Sequence, residues 1–459
     1  MFFERELYKD LIHWAKKSRH ALYLEGPRQV GKTELLQKLG REHFNTCVYI
    51  DIKRHRQKFE TLMHYHTEKF GRSTFPEEMG EVWEGVFRDF DTEYCNTPNT
   101  LVILDEIQES PEIYNSIRYI RRGLKSKLAV SGSYLGITTQ SDAYWQSTGD
   151  IQVMELSSLS FREFLKANSI WKEYEQIQTI DISGMSTPEK AVCEQVRELY
   201  GVYYQIGGYP DVVSEWLYSK DIDTCKQMTN QLLQLLYRES SSYFGDIVGG
   251  ALWAYTLELL AAHMVTKSGD LDIKIAKDGF RGDDAKGLEV RRRDKINALK
   301  WLDDCKIVGM VRLYSELERT TSLSNKLQFF FRDMGMMASL CESSTTVLPS
   351  DIAGMFAENF VYMHLHQETQ KLFVEKDVRS FSGSWGQIDF IMHNKNRKRF
   401  GIEIKHSSGG TKSGNKALAD GKIDYLIRVQ DTYGSVGENQ ATIPIFMLDK
   451  LKYIVDPQQ

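Results

Sequence analysis

Residues 21–34 read Ala21-Leu-Tyr-Leu-Glu-Gly26-Pro27-Arg28-Gln29-Val30-Gly31-Lys32-Thr33-Glu34, an apolar run that breaks into a glycine-bounded loop and re-enters a helical pattern. The loop satisfies GxxxxGK[ST] in full, with the strand before and the helix after that the motif requires. Its physics is simple. Glycines let backbone N–H groups wrap a phosphate without Cβ obstruction, and the helix start adds its positive dipole end. Lys32 is expected to reach the β- and γ-phosphates, and the Thr33 hydroxyl to ligate Mg²⁺. Gly26 through Glu34 are therefore the expected cradle for Mg²⁺ and ATP.

About 70 residues on, Leu101-Val-Ile-Leu-Asp105-Glu106 is an apolar strand that ends in two carboxylates. Asp105 suits water-mediated coordination of the metal, and Glu106 suits a general base for the attacking water. A further strand ends in Ser131-Gly-Ser133, where Ser133 could sense the γ-phosphate. Arg118, Arg121 and Arg122 follow the acidic strand on a helix. They form either a solvated basic face or a source of arginine fingers, the latter in a homo-oligomer.

Outward from the loop, short apolar runs alternate with helical periodicity, the signature of parallel βαβ units. Strands are expected at Ala21–Glu25, Cys47–Ile52, Leu101–Ile107, Lys127–Ser131 and Ile151–Leu156, with helices at 4–18, Lys32–Gly40 and Pro111–Leu124. Residues 160–260 read as nearly all helical, with a polar break at 181–188. A charged stretch at 267–288 reads as an exposed excursion. A helix at 292–305 followed by β-runs at Ile307–Ser315 and Leu327–Arg332 is the pattern of a winged helix. Its basic start, Arg291, Arg292, Arg293, Lys295 and Lys300, suits either duplex phosphates or an interdomain surface. After a polar linker at Ser343–Asp351 come a helix at Met355–Thr369 and strands near Leu372–Val378, Gln387–Met392, Arg399–Lys405, Tyr425–Val429 and Ile443–Leu448.

The 459 residues exceed one core and suggest about three domains. These are expected at 1–160, 161–342 and 352–459. A net charge of −5 gives no overall basic field, so DNA or RNA would need a local basic surface. Six scattered cysteines without a CxxC pair fit a reducing cytoplasm. The N-terminus lacks a signal-peptide pattern, and no apolar run is long enough to span a membrane.

Several phrases belong together: LDEIQESPE (104–112), SGSYLG (131–136), LSSLSFREFL (156–165), GGYPDVV (207–213), KLQFFFRDMGMMASL (326–340), GMFAENFVYMHL (354–365) and GQIDFIMHNKNRKRFGIEIK (386–405). In this order they resemble a widespread prokaryotic family of AAA-type predicted ATPases with a C-terminal domain of unknown function. The resemblance implies an α/β multidomain chain. Its parts would be an AAA-like P-loop ATPase with a parallel sheet, a helical and winged-helix middle, and a restriction-endonuclease-like α/β C-terminal domain.

The last of these has its own chemical set. Asp389 and then Glu403-Ile-Lys405 form D…ExK on neighbouring strands. Residues 403 and 405 share a face because strand side chains alternate. Asp389 and Glu403 would hold Mg²⁺ or Mn²⁺, and Lys405 would orient or deprotonate a water beside the metal. Glu358 matches the additional metal-proximal glutamate of the PD-(D/E)XK nucleases, although no proline precedes Asp389. Three functions remain open at this point: an ATPase gated by nucleic acid with a nuclease site, an ATP-dependent switch that binds protein or DNA and cuts nothing, or a passive winged-helix DNA binder in which ATP merely stabilises the fold.

Overall fold

The computed structural model describes residues 2–71, 75–132, 149–243, 301–314, 327–343, 349–369, 371–383, 386–405 and 412–456. The chain divides into two compact units: Phe2–Ser158 with Asp304–Lys306, and Leu159–Asp303 with Ile307–Gln459.

In the first unit, β1 (Ala21–Glu25), β2 (Thr46–Asp51), β3 (Thr100–Asp105), β4 (Lys127–Gly132) and β5 (Ile151–Glu155) form a sheet in the order β2-β3-β4-β1-β5. Every pairing is parallel. Parallel strands need crossovers, which α2 (Lys32–His43), α3 (Ile52–Phe70), α4 (Gly80–Phe90), α5 (Pro111–Asn115) and α6 (Ile117–Gly123) help to provide, while α1 (Tyr8–Lys17) precedes β1. One core cluster joins the strands to Phe59 and Met63 of α3, Trp83 and Phe87 of α4, and Ile117 and Ile120 of α6. The central strands β1, β3 and β4 are buried on both faces, which is why they read as continuous apolar runs.

Three expected boundaries move for local reasons. Ile52 starts α3 rather than ending β2, because the Asp51 carboxylate caps the helix by accepting from Arg54 N at 3.2 Å. β3 stops at Asp105 because Glu106 adopts left-handed backbone angles, φ 53° and ψ 46°. The helix expected over Pro111–Leu124 breaks at Ser116, whose hydroxyl bonds back to Glu112 O at 2.9 Å.

The second unit opens with helices Phe161–Ala167, Trp171–Gln176, Thr187–Ile206, Pro210–Ser219 and Ile222–Tyr243. Two four-stranded sheets follow among the described residues. One runs β7 (Leu327–Phe331), β6 (Val308–Tyr314), β8 (Arg379–Gly383), β9 (Gly386–Ile388); the other runs β10 (Phe390–His393), β11 (Arg399–Ile404), β12 (Tyr425–Gln430), β13 (Gln440–Pro444). The β6–β7 ribbon is antiparallel, and β6 also pairs in parallel with β8. That sheet is thus built from both sides of the 343–351 segment. Residues 244–300, with the basic cluster and the charged excursion, lie outside the described residues.

Here too the expected strands need correction. No strand occupies Leu372–Val378; a single bridge, Phe373 to Asn394, stands there, and β8 begins at Arg379. The Gln387–Met392 run splits at Asp389 into β9 and β10, which belong to different sheets. The run Ile443–Leu448 enters a 3₁₀ turn at Ile445, straight after Pro444.

Three of the quoted phrases meet in one buried knot. Leu159 N donates to Gly208 O at 2.7 Å, and Tyr203 Oη donates to Leu159 O at 2.8 Å. The Asp333 carboxylate, 3% exposed, accepts from Gly208 N at 2.9 Å and from Met336 N at 3.0 Å. A Cβ on Gly208 would stand 2.1 Å from Leu159 O, so only glycine allows this approach. Asp333→Ala would strand two buried N–H donors, and we expect it to cost roughly 2–4 kcal/mol in urea unfolding. Asp333→Asn keeps an acceptor and should cost about half as much. Equal stability of the alanine variant and the parent would refute this account.

Candidate nucleotide site

The parallel register brings the C-terminal strand ends to one edge. Asp51 pairs with Asp105, Leu104 with Val130, and Leu24 with Ser131. The loop after β1 and the carboxylates after β3 are therefore neighbours by construction.

The loop's conformation is set residue by residue. Gly26 has φ +148°, and a Cβ there would lie 2.0 Å from Leu156 O. Gly31 has φ +91° with open space around it, so its backbone angle rather than crowding demands glycine. Gln29 is also left-handed, at φ 61°, and exposed, while Val30 is fully buried and anchors the loop. Pro27 is buried and Arg28 half-buried. Arg5, unremarked in the sequence, clamps the loop from behind: its guanidinium donates to Val30 O at 2.9 Å and to Ser157 O at 2.6 Å. Helix α2 begins at Lys32, so the N–H groups of Lys32, Thr33 and Glu34 belong to its first turn and lack intrahelical acceptors. The Glu34 side chain is exposed.

Lys32 is 8% exposed, and its Nζ donates to Gly26 O at 2.8 Å and Pro27 O at 2.7 Å. Burial pushes its ammonium down to about 8, against the opposing pull of Glu106 and Asp105. A bound polyanion would counter that depression by attraction, as the two carboxylates already do in part.

Asp105, 4% exposed, is saturated with donors. Its Oδ2 accepts from Thr33 Oγ1 at 2.6 Å and Tyr49 Oη at 2.9 Å. Its Oδ1 accepts from Glu106 N at 3.0 Å and from the Ser131 hydroxyl. Tyr49 and Ser131 were not assigned from the sequence. A tyrosine and a serine near the ends of the two strands that flank the acidic β3 were the available signal. Glu106 is half-buried, and its Oε2 accepts from the Gln108 amide. Ser133 lies outside the described residues.

The three arginines are placed elsewhere. Arg122 Nε and Arg118 Nε meet the Asp150 carboxylate at 2.7 and 3.5 Å, and Arg121 Nε donates to Arg19 O. Asp150 and Arg19 precede β5 and β1, so this cluster sits at the N-terminal strand edge, opposite the loop.

In the second unit, Asp389 Oδ2 accepts from Ile404 N at 2.8 Å, which sets it against β11 beside Glu403. Glu403 is 2% exposed and its Oε2 has no hydrogen-bond partner among the described residues. Burial raises its pKa, while Lys405, the Gly414 N–H and Arg428 work the other way. Lys405 is half-buried, as is Glu358 on helix Pro349–Glu368. Asp389 and Glu403 are thus adjacent, but no group of three or more His, Cys, Asp or Glu side chains that could hold a metal is found among the described residues. The third proposed ligand, Glu358, does not complete a cluster. The neighbouring Asn359 has a packing role: its amide pairs with both the N–H and the C=O of Phe331 on β7.

Comparison with known proteins supports part of this. Residues 18–165 match the model of an AAA domain, and residues 197–347 match a domain of unknown function (DUF8612). No curated protein matches. Among solved structures, the Walker-type ATPase PABY2304 of Pyrococcus abyssi is 16% identical with a TM-score of 0.40, covering 74% of this chain and 96% of that one. The ORC1 protein of Aeropyrum pernix in complex with DNA is 14% identical with a TM-score of 0.25, covering 75% and 93%. Cdc6p of Pyrobaculum aerophilum is 14% identical with a TM-score of 0.26, covering 77% and 93%. These are remote likenesses. Among the described residues no helix is long and apolar enough to cross a membrane.

Proposed function

With an AAA-type ATPase domain matched at residues 18–165, we propose that this protein binds Mg²⁺ and ATP at Gly26–Glu34 and hydrolyses the nucleotide. One observation carries the reading: the Thr33 hydroxyl rests on an Asp105 carboxylate that Tyr49 and Ser131 also hold, beside a buried Lys32. Hard oxygen donors from loop and strand meet there, which is the donor set Mg²⁺ prefers. Held by Thr33 and through water by Asp105, the ion would neutralise charge on the β- and γ-phosphate oxygens.

The chain's own residues supply the rest. Loop N–H groups and Lys32 bind and orient the phosphates, leaving the carbonyls of Gly26 and Pro27 to solvent or loop donors. Asp105 holds the Thr33 hydroxyl in place. Glu106 accepts the proton of the attacking water at a carboxylate oxygen.

A second reading concerns the C-terminal region, and Glu403 favours it. A carboxylate oxygen buried without a partner is costly unless something positive meets it, and Asp389 and Lys405 flank it. Asp389 and Glu403 would hold a divalent cation, with Lys405 placing a water for phosphodiester cleavage. Nucleic acid is then the proposed target, in the cytoplasm, with the ribbon β6–β7 as part of a winged helix.

ATP turnover and strand cleavage should be assayed side by side, with and without DNA or RNA, in Mg²⁺ and in Mn²⁺. Turnover is expected. Binding without turnover would favour a nucleotide-dependent switch that cuts nothing. Lys405→Ala should lower any metal-dependent cutting at least about 100-fold. Cutting that survives this change would remove the nuclease reading.

A further inference from the structure

Glu106 leaves β3 in a left-handed backbone conformation, and one 3₁₀ turn, Ile107–Glu109, folds the chain back beneath it. That turn returns Gln108 to the carboxylate, where Gln108 Nε2 donates to Glu106 Oε2. Gln108 is 7% exposed although its amide is polar. Its far end is confined as well. A Cβ on Gly132 would stand 2.6 Å from Gln108 Oε1 and 2.8 Å from Tyr23 Oη, so amide and phenol share the space over the bare Cα at the end of β4. Tyr23, 1% exposed, has no hydrogen-bond partner for its hydroxyl among the described residues.

We propose that Gln108 is the positioning residue of Glu106, and that Gly132 is glycine because the strut needs its space. This rests on the ATPase reading and adds to it a residue acting on the reaction through the base. The reasoning is geometric. An unsupported glutamate samples several rotamers, while a general base must sit within hydrogen-bond reach of one water. Donation to Oε2 fixes the carboxylate plane and leaves Oε1 to take the proton. A leucine would fill the volume without donating, and a glutamate would set like charge against like.

A double-mutant cycle tests this on the full-length protein, with single-turnover hydrolysis of labelled ATP and calorimetric Kd. Gln108→Ala is expected to lower the rate about 10- to 100-fold with Kd for ATP within about 3-fold of wild type. In a Glu106→Gln background the same change should alter the rate less than about 3-fold, because an amide at 106 is no base to be positioned even where it keeps the contact. Gly132→Ala, which evicts the amide without deleting it, should copy Gln108→Ala in both backgrounds. If Gln108→Ala fails to fold by circular dichroism, Gln108→Leu, which fills the volume without donating, serves in the same cycle with the same expectation. An unchanged rate in Gln108→Ala, or equal losses with and without Glu106, overturns the proposal while leaving the ATPase standing. A wild type that binds ATP but never turns it over sinks the hydrolysis reading instead, and this inference with it.

Discussion

Lys32→Met is expected to weaken Mg²⁺-ATP binding at least about 100-fold, close to 3 kcal/mol, while leaving the nucleotide-free protein folded. The ammonium is what would meet the phosphates, and methionine keeps the buried stem while deleting the charge. In the ligand-free protein the change removes a buried charge but also strips the carbonyls of Gly26 and Pro27 of their donor, so its pH dependence is the informative part. Burial takes the Lys32 ammonium from an ordinary 10.5 to about 8, so holding it charged in the folded state costs on the order of 3 kcal/mol. The sign follows from proton counting. Between pH 8 and 10.5 the unfolded chain holds the proton that the folded chain has released, so wild-type stability rises with pH across that window. Below pH 8 the full penalty applies, so there the methionine variant should stand highest relative to the parent. By about pH 10.5 its standing relative to the parent should have fallen by roughly 3 kcal/mol. Calorimetric titration and thermal melts at pH 7 and above measure both effects. A Kd within about 10-fold of wild type would remove Lys32 from phosphate binding.

The same residue illustrates what the chain discloses and what it conceals. Gly26, Gly31 and Lys32 were legible because their chemistry is local: backbone angles and helix starts depend on a few neighbours. All five strands of the first unit were legible for a similar reason, each being an apolar run too short for a helix. Tyr49 and Ser131 were not, because their partner Asp105 lies on another strand and only the register brings them together. Gln108 lay inside a quoted phrase but acquires meaning only from a left-handed Glu106, which no periodicity foretells.

The second unit was harder for a physical reason. The run after Ile443 is apolar and could have continued as a strand; Pro444 and the packing of Ile445–Leu451 turn it into a 3₁₀ segment. The break at Asp389, with β9 and β10 in separate sheets, likewise follows from tertiary pairing. Asp389 and Glu403 were nevertheless foreseen as neighbours, because D…ExK spacing on adjacent strands is itself a statement of register.

Glu106→Gln is expected to lower ATP turnover about 100- to 1000-fold while ATP still binds as tightly as before. The substitution is isosteric and touches neither the loop nor Asp105, so the binding groups stay in place. It removes the one capacity the hydrolytic reading needs at this position, that of taking a proton from water. The neighbouring amide makes the comparison clean. Gln108 donates to Oε2 in the parent, and a glutamine at 106 can turn its own carbonyl oxygen toward that donor and keep the contact. Loss of rate then reports chemistry rather than a collapsed turn. Burst-free turnover assays together with calorimetric Kd separate the two contributions. A rate within about 5-fold of wild type would mean that Glu106 is not the base. Joint loss of rate and affinity would mean that the carboxylate chiefly balances Lys32, on which it exerts the largest of the carboxylate pulls.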